Sequence, residues 1–339
     1  MAATGWLAPA PEHKWKLAPL AKSDRAVADS ENPLVIVCGP TGSGKSALAV
    51  AVAEHFSGEV VNCDSVQIYR HFDIGTAKTP VAQRRGVPHH LLDAAGPDEV
   101  FTAGDFTRLG RAALADITTR GRLPVIAGGT GFYLRALLLG LFEGPPRNEA
   151  LRCRLAQREA RRPGSLHHLL GRWDRAAAAR IHRNDVGKAM RALEVISTEK
   201  QPLTDLFERG RDPLTGYRML KLGLNPPRPQ LYERIERRAR EMFEHGLIEE
   251  VGALLEHGHP ATAKPFESLG YAQALACVQG VMTVEQAIAD TQMYTRRYAK
   301  RQWTWFRREP GIEWVEGFGS DAQVQHVVLD LVARFLAQG

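Results

Sequence analysis

Cysteine is scarce and scattered: Cys38, Cys63, Cys153 and Cys277 are the four in 339 residues, with no C-x-x-C pair among them. That excludes a disulfide framework or a zinc cluster and reads as reduced thiols in a cytoplasmic setting. Long hydrophobic runs are missing too. No apolar stretch approaches the ~18 residues of a membrane span, so no membrane is expected as a partner. Residues 1–31 carry scattered charge and proline without a continuous apolar segment. They lack a secretory signal and read as a disordered N-terminal extension. Internal repeats and low-complexity tracts are absent as well.

What is there is an ordinary globular composition, 44% hydrophobic and 24% charged, which excludes wholesale disorder. The length suffices for a full core and for two domains. Charge is uneven. From Arg147 to Lys200, 13 Lys/Arg stand against 6 Asp/Glu, a surplus that accounts for the whole net charge of +6. A polyanionic partner such as nucleic acid and a merely solvated basic surface both fit that cluster.

Leu34–Cys38 is a short apolar run of the kind found in buried parallel strands. Glycines from Gly39 to Gly44 interrupt it, and Ser46–Phe56 follows as a helix. Glu59–Cys63 is a second strand that delivers Asp64 at its tip. Leu123–Ala127 is a third, running into Gly128-Gly129-Thr130 and a helix over Phe132–Leu141. Strand, turn, helix, strand predicts an α/β fold: a core with a parallel sheet flanked by helices. Residues 147–209 are Arg/Ala/Leu-rich with helical spacing and no strand pattern. The expected layout is a core over 32–144, an inserted all-helical subdomain over 145–215, and a return to the core over 216–339. In that last part Tyr217–Leu224 reads as a strand. Pro229 opens an amphipathic helix with Tyr232, Ile235, Ala239, Met242 and Leu247 on its apolar face. A final basic helix covers Val284–Arg308.

Gly39-Pro40-Thr41-Gly42-Ser43-Gly44-Lys45-Ser46 satisfies G-x-x-x-x-G-K-[ST], between a strand and a helix as that pattern requires. The glycines let successive backbone N–H groups face one anion, and the following helix presents its positive end there. Lys45 adds a cation, and the Ser46 hydroxyl suits Mg²⁺. A nucleotide-hydrolysing P-loop protein would carry an Asp at the end of a second strand. The strand Val125–Ala127 instead runs into Gly-Gly-Thr. The loop therefore argues for a diphosphate more than for ATP hydrolysis. Asp64, at a different strand tip, has two readings of equal weight: a cap or metal-supporting carboxylate, or a base facing the reactants.

Beyond the P-loop come Asp64-Ser65-x-Gln67-x-Tyr69-Arg70, Asp73-Ile-Gly-Thr-Ala-Lys78, Val87-Pro-His-His-Leu-Leu-Asp93 and Gly128-Gly-Thr-Gly-Phe-Tyr133. Further on stand Asn184-Asp185, Arg191-Ala-Leu-Glu194, Gly270-Tyr271 and Thr295-Arg-Arg-Tyr-Ala-Lys-Arg-Gln302-Trp303. In order and spacing these resemble the tRNA dimethylallyltransferases (isopentenyltransferases) over about Val35 to Arg307. The resemblance implies transfer of a dimethylallyl group from dimethylallyl diphosphate to the exocyclic amine of adenosine 37, beside the tRNA anticodon, with Mg²⁺ assisting. Asp64 resembles the family's carboxylate at the adenine N6, and Thr130 its hydroxyl partner at the mouth of the reaction channel. Arg152 matches an arginine that contacts tRNA. The tRNA-facing stretches implied are Asp64-Ser65-Val66-Gln67, Gly187-Lys188-Ala189-Met190-Arg191, Glu267-Ser268-Leu269-Gly270-Tyr271-Ala272 and Thr295-Arg296-Arg297-Tyr298-Ala299-Lys300-Arg301-Gln302. Gly187-Lys188 stands where a larger polar residue and an arginine are expected, and Ala272 where a polar residue is common. The chain ends without the Cys/His pairs of the zinc finger that eukaryotic members carry, so a bacterial type, working as a monomer on the anticodon stem-loop, is expected.

An extra cation near the leaving diphosphate is sought among Arg234 and Arg237, one turn apart on the Pro229 helix, with Arg237 the catalytic candidate; a solvated helix face is the plain alternative. In the last helix, Arg296 to Arg308 holds 6 Lys/Arg and no acid, interleaved with aromatics. That mixture suits RNA backbone contacts, with most of the aromatics buried. His89-His90 have no third ligand nearby and read as hydrogen-bonding residues. The competing functions are a P-loop small-molecule kinase, prenyl transfer to a free adenine nucleotide, and a non-catalytic RNA-binding module.

Overall fold

The computed structural model describes residues 31–141, 144–208 and 212–338. The expected N-terminal extension falls, apart from Glu31, outside the described residues.

A parallel sheet of six strands is built from β1 (Asn32–Cys38), β2 (Glu59–Asn62), β3 (His89–His90), β4 (Pro124–Ala127), β5 (Tyr217–Asn225) and β6 (Ile312–Glu316), in the order β3-β2-β4-β1-β5-β6. β1 lies at its centre, with Val35 opposite Val125 of β4 and Leu220 of β5. The alternation of a strand explains its unbroken apolar run. Leu34, Ile36 and Cys38 pack with Phe106 and Leu114 of α2 (Ala103–Thr119) and Leu134 and Leu137 of α3 (Gly131–Leu139). Val35 and Val37 pack on the other face with Leu48 and Val52 of α1 (Lys45–His55) and Val324 and Val328 of α13 (Ala322–Ala337). Glu59, buried at the start of β2, is held down at about 2 by Arg120 first and by His90, whose Nε2 lies 2.7 Å away.

The insert is helical, as expected: α4 (Glu149–Arg161), α5 (Ser165–Trp173), α6 (Arg175–Arg180), α7 (Val186–Glu199) and α8 (Leu203–Glu208). These share their own core around Leu155, Leu170, Leu193 and Ile196. Asn148, Asp174 and Asp185 cap α4, α6 and α7 through their side-chain oxygens.

The expected helix at Pro229 is α9 (Arg228–Glu244), and it buries Leu231, Ile235, Ala239 and Met242 while Tyr232 stays half-exposed. Leu247 belongs to the next helix, α10 (Leu247–Glu256), because Gly246 at φ 97° ends the run. After α11 (Tyr271–Val278) comes the basic helix α12 (Val284–Phe306). It is not the last element. β6 and α13 follow, and α13 carries Val324, Val328 and Val332 under the sheet.

Candidate active site

In the sheet β2, β4 and β1 are neighbours, so their C-terminal tips set Asp64, Gly128-Gly129 and the P-loop side by side. Gly128 can hold no side chain, since a Cβ would lie 2.0 Å from the Cys63 carbonyl oxygen. Beside these tips opens a cavity of 730 Å³ lined by Thr41, Lys45, Ser46, Asp64, Gln67, Lys78, Arg234 and Arg238, among others.

The P-loop turns into α1 through Gly44, at φ 88°. A Cβ there would meet the Ser320 amide nitrogen at 2.8 Å. The loop at Phe318–Ser320 braces it, with the Gly319 N–H donating to the Ser43 carbonyl at 2.9 Å. Among the described residues the buried Ser43 hydroxyl has no hydrogen-bond partner. Lys45 Nζ donates to the Pro40 carbonyl at 2.7 Å. Desolvation pulls its ammonium down to about 8, opposed by the Asp64 carboxylate. Ser46 is exposed at the cavity wall.

Asp64 both caps a turn and lines the cavity. Oδ1 accepts from the Val66 N–H at 2.9 Å and the Gln67 N–H at 3.3 Å, capping the turn after β2. Among the described residues Oδ2 accepts no hydrogen bond, which leaves it to the cavity that Asp64 lines. The neighbouring Ser65 N–H donates to Thr130 Oγ1 at 3.1 Å. Thr130 is therefore tied to the Asp64 turn, though it lies outside the lining of the cavity itself. Burial pushes the phenol of Tyr298 on α12 up, with the Asp64 carboxylate adding to the effect. Gln67 reaches across to the Thr76 carbonyl at 3.0 Å. Lys78 is buried and donates to Asp73 at 2.5 Å, to Asp93 at 2.7 Å and to the Tyr69 carbonyl at 2.9 Å. It clasps three of the segments singled out in the sequence.

Arg237 does not line the cavity. That side chain is 68% exposed and lies 3.5 Å from Glu241. Its neighbour Arg238 does line the cavity, donating from Nη2 to Thr41 Oγ1 at 2.8 Å. Arg234 lines the same wall and donates to Ser320 Oγ at 3.0 Å. Burial lowers Arg238 from its ordinary value, with Arg234 adding to the effect. The apolar stripe could have found it. At about 100° per residue, Arg238 falls beside the buried Leu231–Ile235–Met242 line, and Arg237 on the opposite face.

Several residues expected to face RNA are engaged elsewhere. Arg152 and Arg191 bond the fully buried Glu194 carboxylate at 3.1 and 2.7 Å, and Glu194 also accepts the Asn148 N–H at 2.7 Å. Ala189 is buried and Met190 packs on the core of the insert, while Gly187 and Lys188 are exposed, Lys188 pairing with Asp185. Tyr271 is fully buried, donating to Glu250 and accepting the Gly75 N–H at 3.1 Å. Glu267 is exposed and paired with Lys264; Ser268, Leu269 and Ala272 are half-buried. Gly270 is buried, its N–H donating to Gln273 at 2.9 Å. On α12, Thr295, Ala299 and Gln302 point inward, with Trp303 and Phe306 buried on the same side. Arg296 pairs with Glu236 of α9 at 2.5 Å. The exposed basic face is Arg297, Lys300 and Arg301, and Arg301 lies over the Tyr298 ring.

Fold and site define a P-loop α/β protein with a cavity at the loop and a carboxylate, from the tip of β2, in the wall of that cavity. The IPP transferase family model matches residues 67–309. A tRNA dimethylallyltransferase of Solibacter usitatus is 58% identical over 90% of this chain and 100% of its own length. One from Koribacter versatilis is 53% identical over 89% of this chain and 99% of its own length. Among solved structures, the tRNA isopentenylpyrophosphate transferase of Bacillus halodurans matches with a TM-score of 0.66 at 35% identity, over 91% of this chain and 98% of that one. Crystallographic snapshots of a eukaryotic dimethylallyltransferase acting on tRNA match with a TM-score of 0.79 at 25% identity, over 91% of this chain and 80% of that one. The chain belongs to the IPP transferase family, and it is a prenyltransferase.

Proposed function

We propose that this enzyme moves a dimethylallyl group from dimethylallyl diphosphate to the N6 amine of adenosine 37 in tRNA, beside the anticodon. The observation that carries the reading is the meeting of Lys45 and Ser46 after β1, Asp64 after β2 and Arg238 on α9 around one cavity. The P-loop amides, Lys45 and Arg238 hold the diphosphate and stabilise its charge as the C–O bond breaks; each well-aimed donor contributes on the order of 3 kcal/mol at the transition state. The Ser46 hydroxyl is a hard donor that fits Mg²⁺, which when bound would neutralise further negative charge on the diphosphate. The adenine amine is a weak nucleophile because its lone pair is shared with the ring. Asp64 Oδ2 takes the amine proton as the C–N bond forms, a contribution of about 10²–10⁴-fold. Oδ1, fixed by the turn, aims it. Thr130, bonded to the same turn, stands where the adenine would arrive, and the exposed basic face of α12 meets RNA phosphates.

The test is incubation with unmodified tRNA, Mg²⁺ and dimethylallyl diphosphate, followed by nucleoside digestion. A dimethylallyl mass increment on the adenosine beside the anticodon is expected. Phosphoryl transfer from ATP without any prenyl transfer would overturn the reading.

A further inference from the structure

We infer that Gln302 is a positioning residue for the diphosphate loop, and that it does not read RNA. The inference rests on the diphosphate reading of the cavity. Gln302 is 5% exposed on the inner face of α12. Both ends of its amide are taken by backbone groups from two different strand-end turns. Oε1 accepts the Thr41 N–H of the P-loop at 2.7 Å, and Nε2 donates to the Gly129 carbonyl of the β4 turn at 2.9 Å. The reverse orientation would set donor against donor and carbonyl against carbonyl, so the network allows only one. The β4 turn is shaped around this amide, since a Cβ on Gly129 would lie 2.2 Å from Nε2.

Thr41 is thus gripped twice, by Gln302 at its amide and by Arg238 at its hydroxyl. A P-loop binds an anion only if its backbone N–H groups converge, and a glycine-rich loop does not hold such a shape unaided. Gln302 fixes the crown of the loop against the β4 turn. At 5% exposure the second amide hydrogen and the second lone pair are closed off from a nucleobase. On the outer face of the same helix stand Arg297 and Lys300, so one helix holds the donor loop on one side and offers cations on the other.

The experiment compares wild type with Gln302→Ala and Gln302→Met, the second keeping length and volume so that a folded variant is available. Calorimetry measures binding of inorganic pyrophosphate with Mg²⁺ and, separately, of unmodified tRNA; thermal melting monitors the fold. Expected is a loss of pyrophosphate affinity of about tenfold, with tRNA affinity changed less than twofold and melting near wild type. Loss of tRNA affinity with pyrophosphate binding intact would make Gln302 an RNA contact and overturn the inference. Unchanged binding of both, or an equal loss of both in a folded variant, overturns it too. A wild-type protein that binds no pyrophosphate removes the diphosphate reading, and this inference with it.

Discussion

The cavity at the strand tips and the helical insert are both rich in arginine, yet they use it in opposite ways. At the cavity Arg234 and Arg238 have no carboxylate partner among the described residues, and each donates to a hydroxyl near the P-loop. In the insert Arg152 and Arg191 converge on Glu194, which has no exposure at all. Their charge is absorbed in joining α4 to α7 and in closing on the Pro145 carbonyl at 2.9 Å. Charge counted along a sequence is therefore not charge available to a ligand. What a guanidinium already faces decides which it is.

The largest effect belongs to the cavity. Asp64→Asn keeps an oxygen to cap the turn but removes the carboxylate, so single-turnover prenyl transfer should fall by about 10²–10⁴-fold. Pyrophosphate and tRNA affinities should change little. If added Mg²⁺ restores much of the rate, Asp64 serves the metal instead. Next come the adjacent arginines of α9. Arg238→Ala should lower kcat by about 10²-fold, while Arg237→Ala should leave kcat and KM near wild type. A reversal of that order would break the contrast at its donor end.

Glu194→Gln tests the insert. It leaves two guanidinium groups facing a neutral amide, and urea unfolding should show a loss of about 2 kcal/mol, below the range for fully buried pairs because both arginines reach solvent. Lys45 offers a smaller and graded effect. Its ammonium sits at about 8 in the free protein, and a bound diphosphate raises it. Pyrophosphate affinity should be full below pH 8 and fall as pH rises through it, by at most tenfold per pH unit. Lys45→Arg, which does not titrate there, should flatten that dependence. Smallest is the RNA side. Replacing both Arg297 and Lys300 by Ala should reduce the salt slope of tRNA binding by about 0.7–0.9 per lost phosphate contact. Arg152→Ala should leave the slope unchanged and act on stability. An equal slope change from Arg152 would show that the insert shares its arginines with RNA after all.

Local patterns were legible and distant pairings were not. The P-loop, the β1 run and the Gly128-Gly129 turn each carry their physics within about ten residues, and the structure realises all three. Arg238 was missed because its partner Thr41 lies 197 positions away, and only the phase of α9 hints at it. Tyr271 sits in a motif that suggested an RNA-facing residue. Its hydroxyl instead closes a triangle with Glu250 and Gly75, a role that depends on three separate segments. The β3 strand escaped notice for a different reason: two residues leave no periodicity to read.

The brace on the P-loop has a consequence for the order in which this enzyme matures. The Gly319 amide that bonds the Ser43 carbonyl is made long after residues 39–46. So is Gln302, which bonds Thr41 across 261 positions. Contacts of such separation close slowly and late. A nascent chain that has completed its first strands and helices still holds an unfinished cradle, and on the proposed function binding of diphosphate would report that translation has passed β6. Pulling on stalled chains of increasing length should locate that moment as an abrupt gain of resistance when pyrophosphate and Mg²⁺ are present.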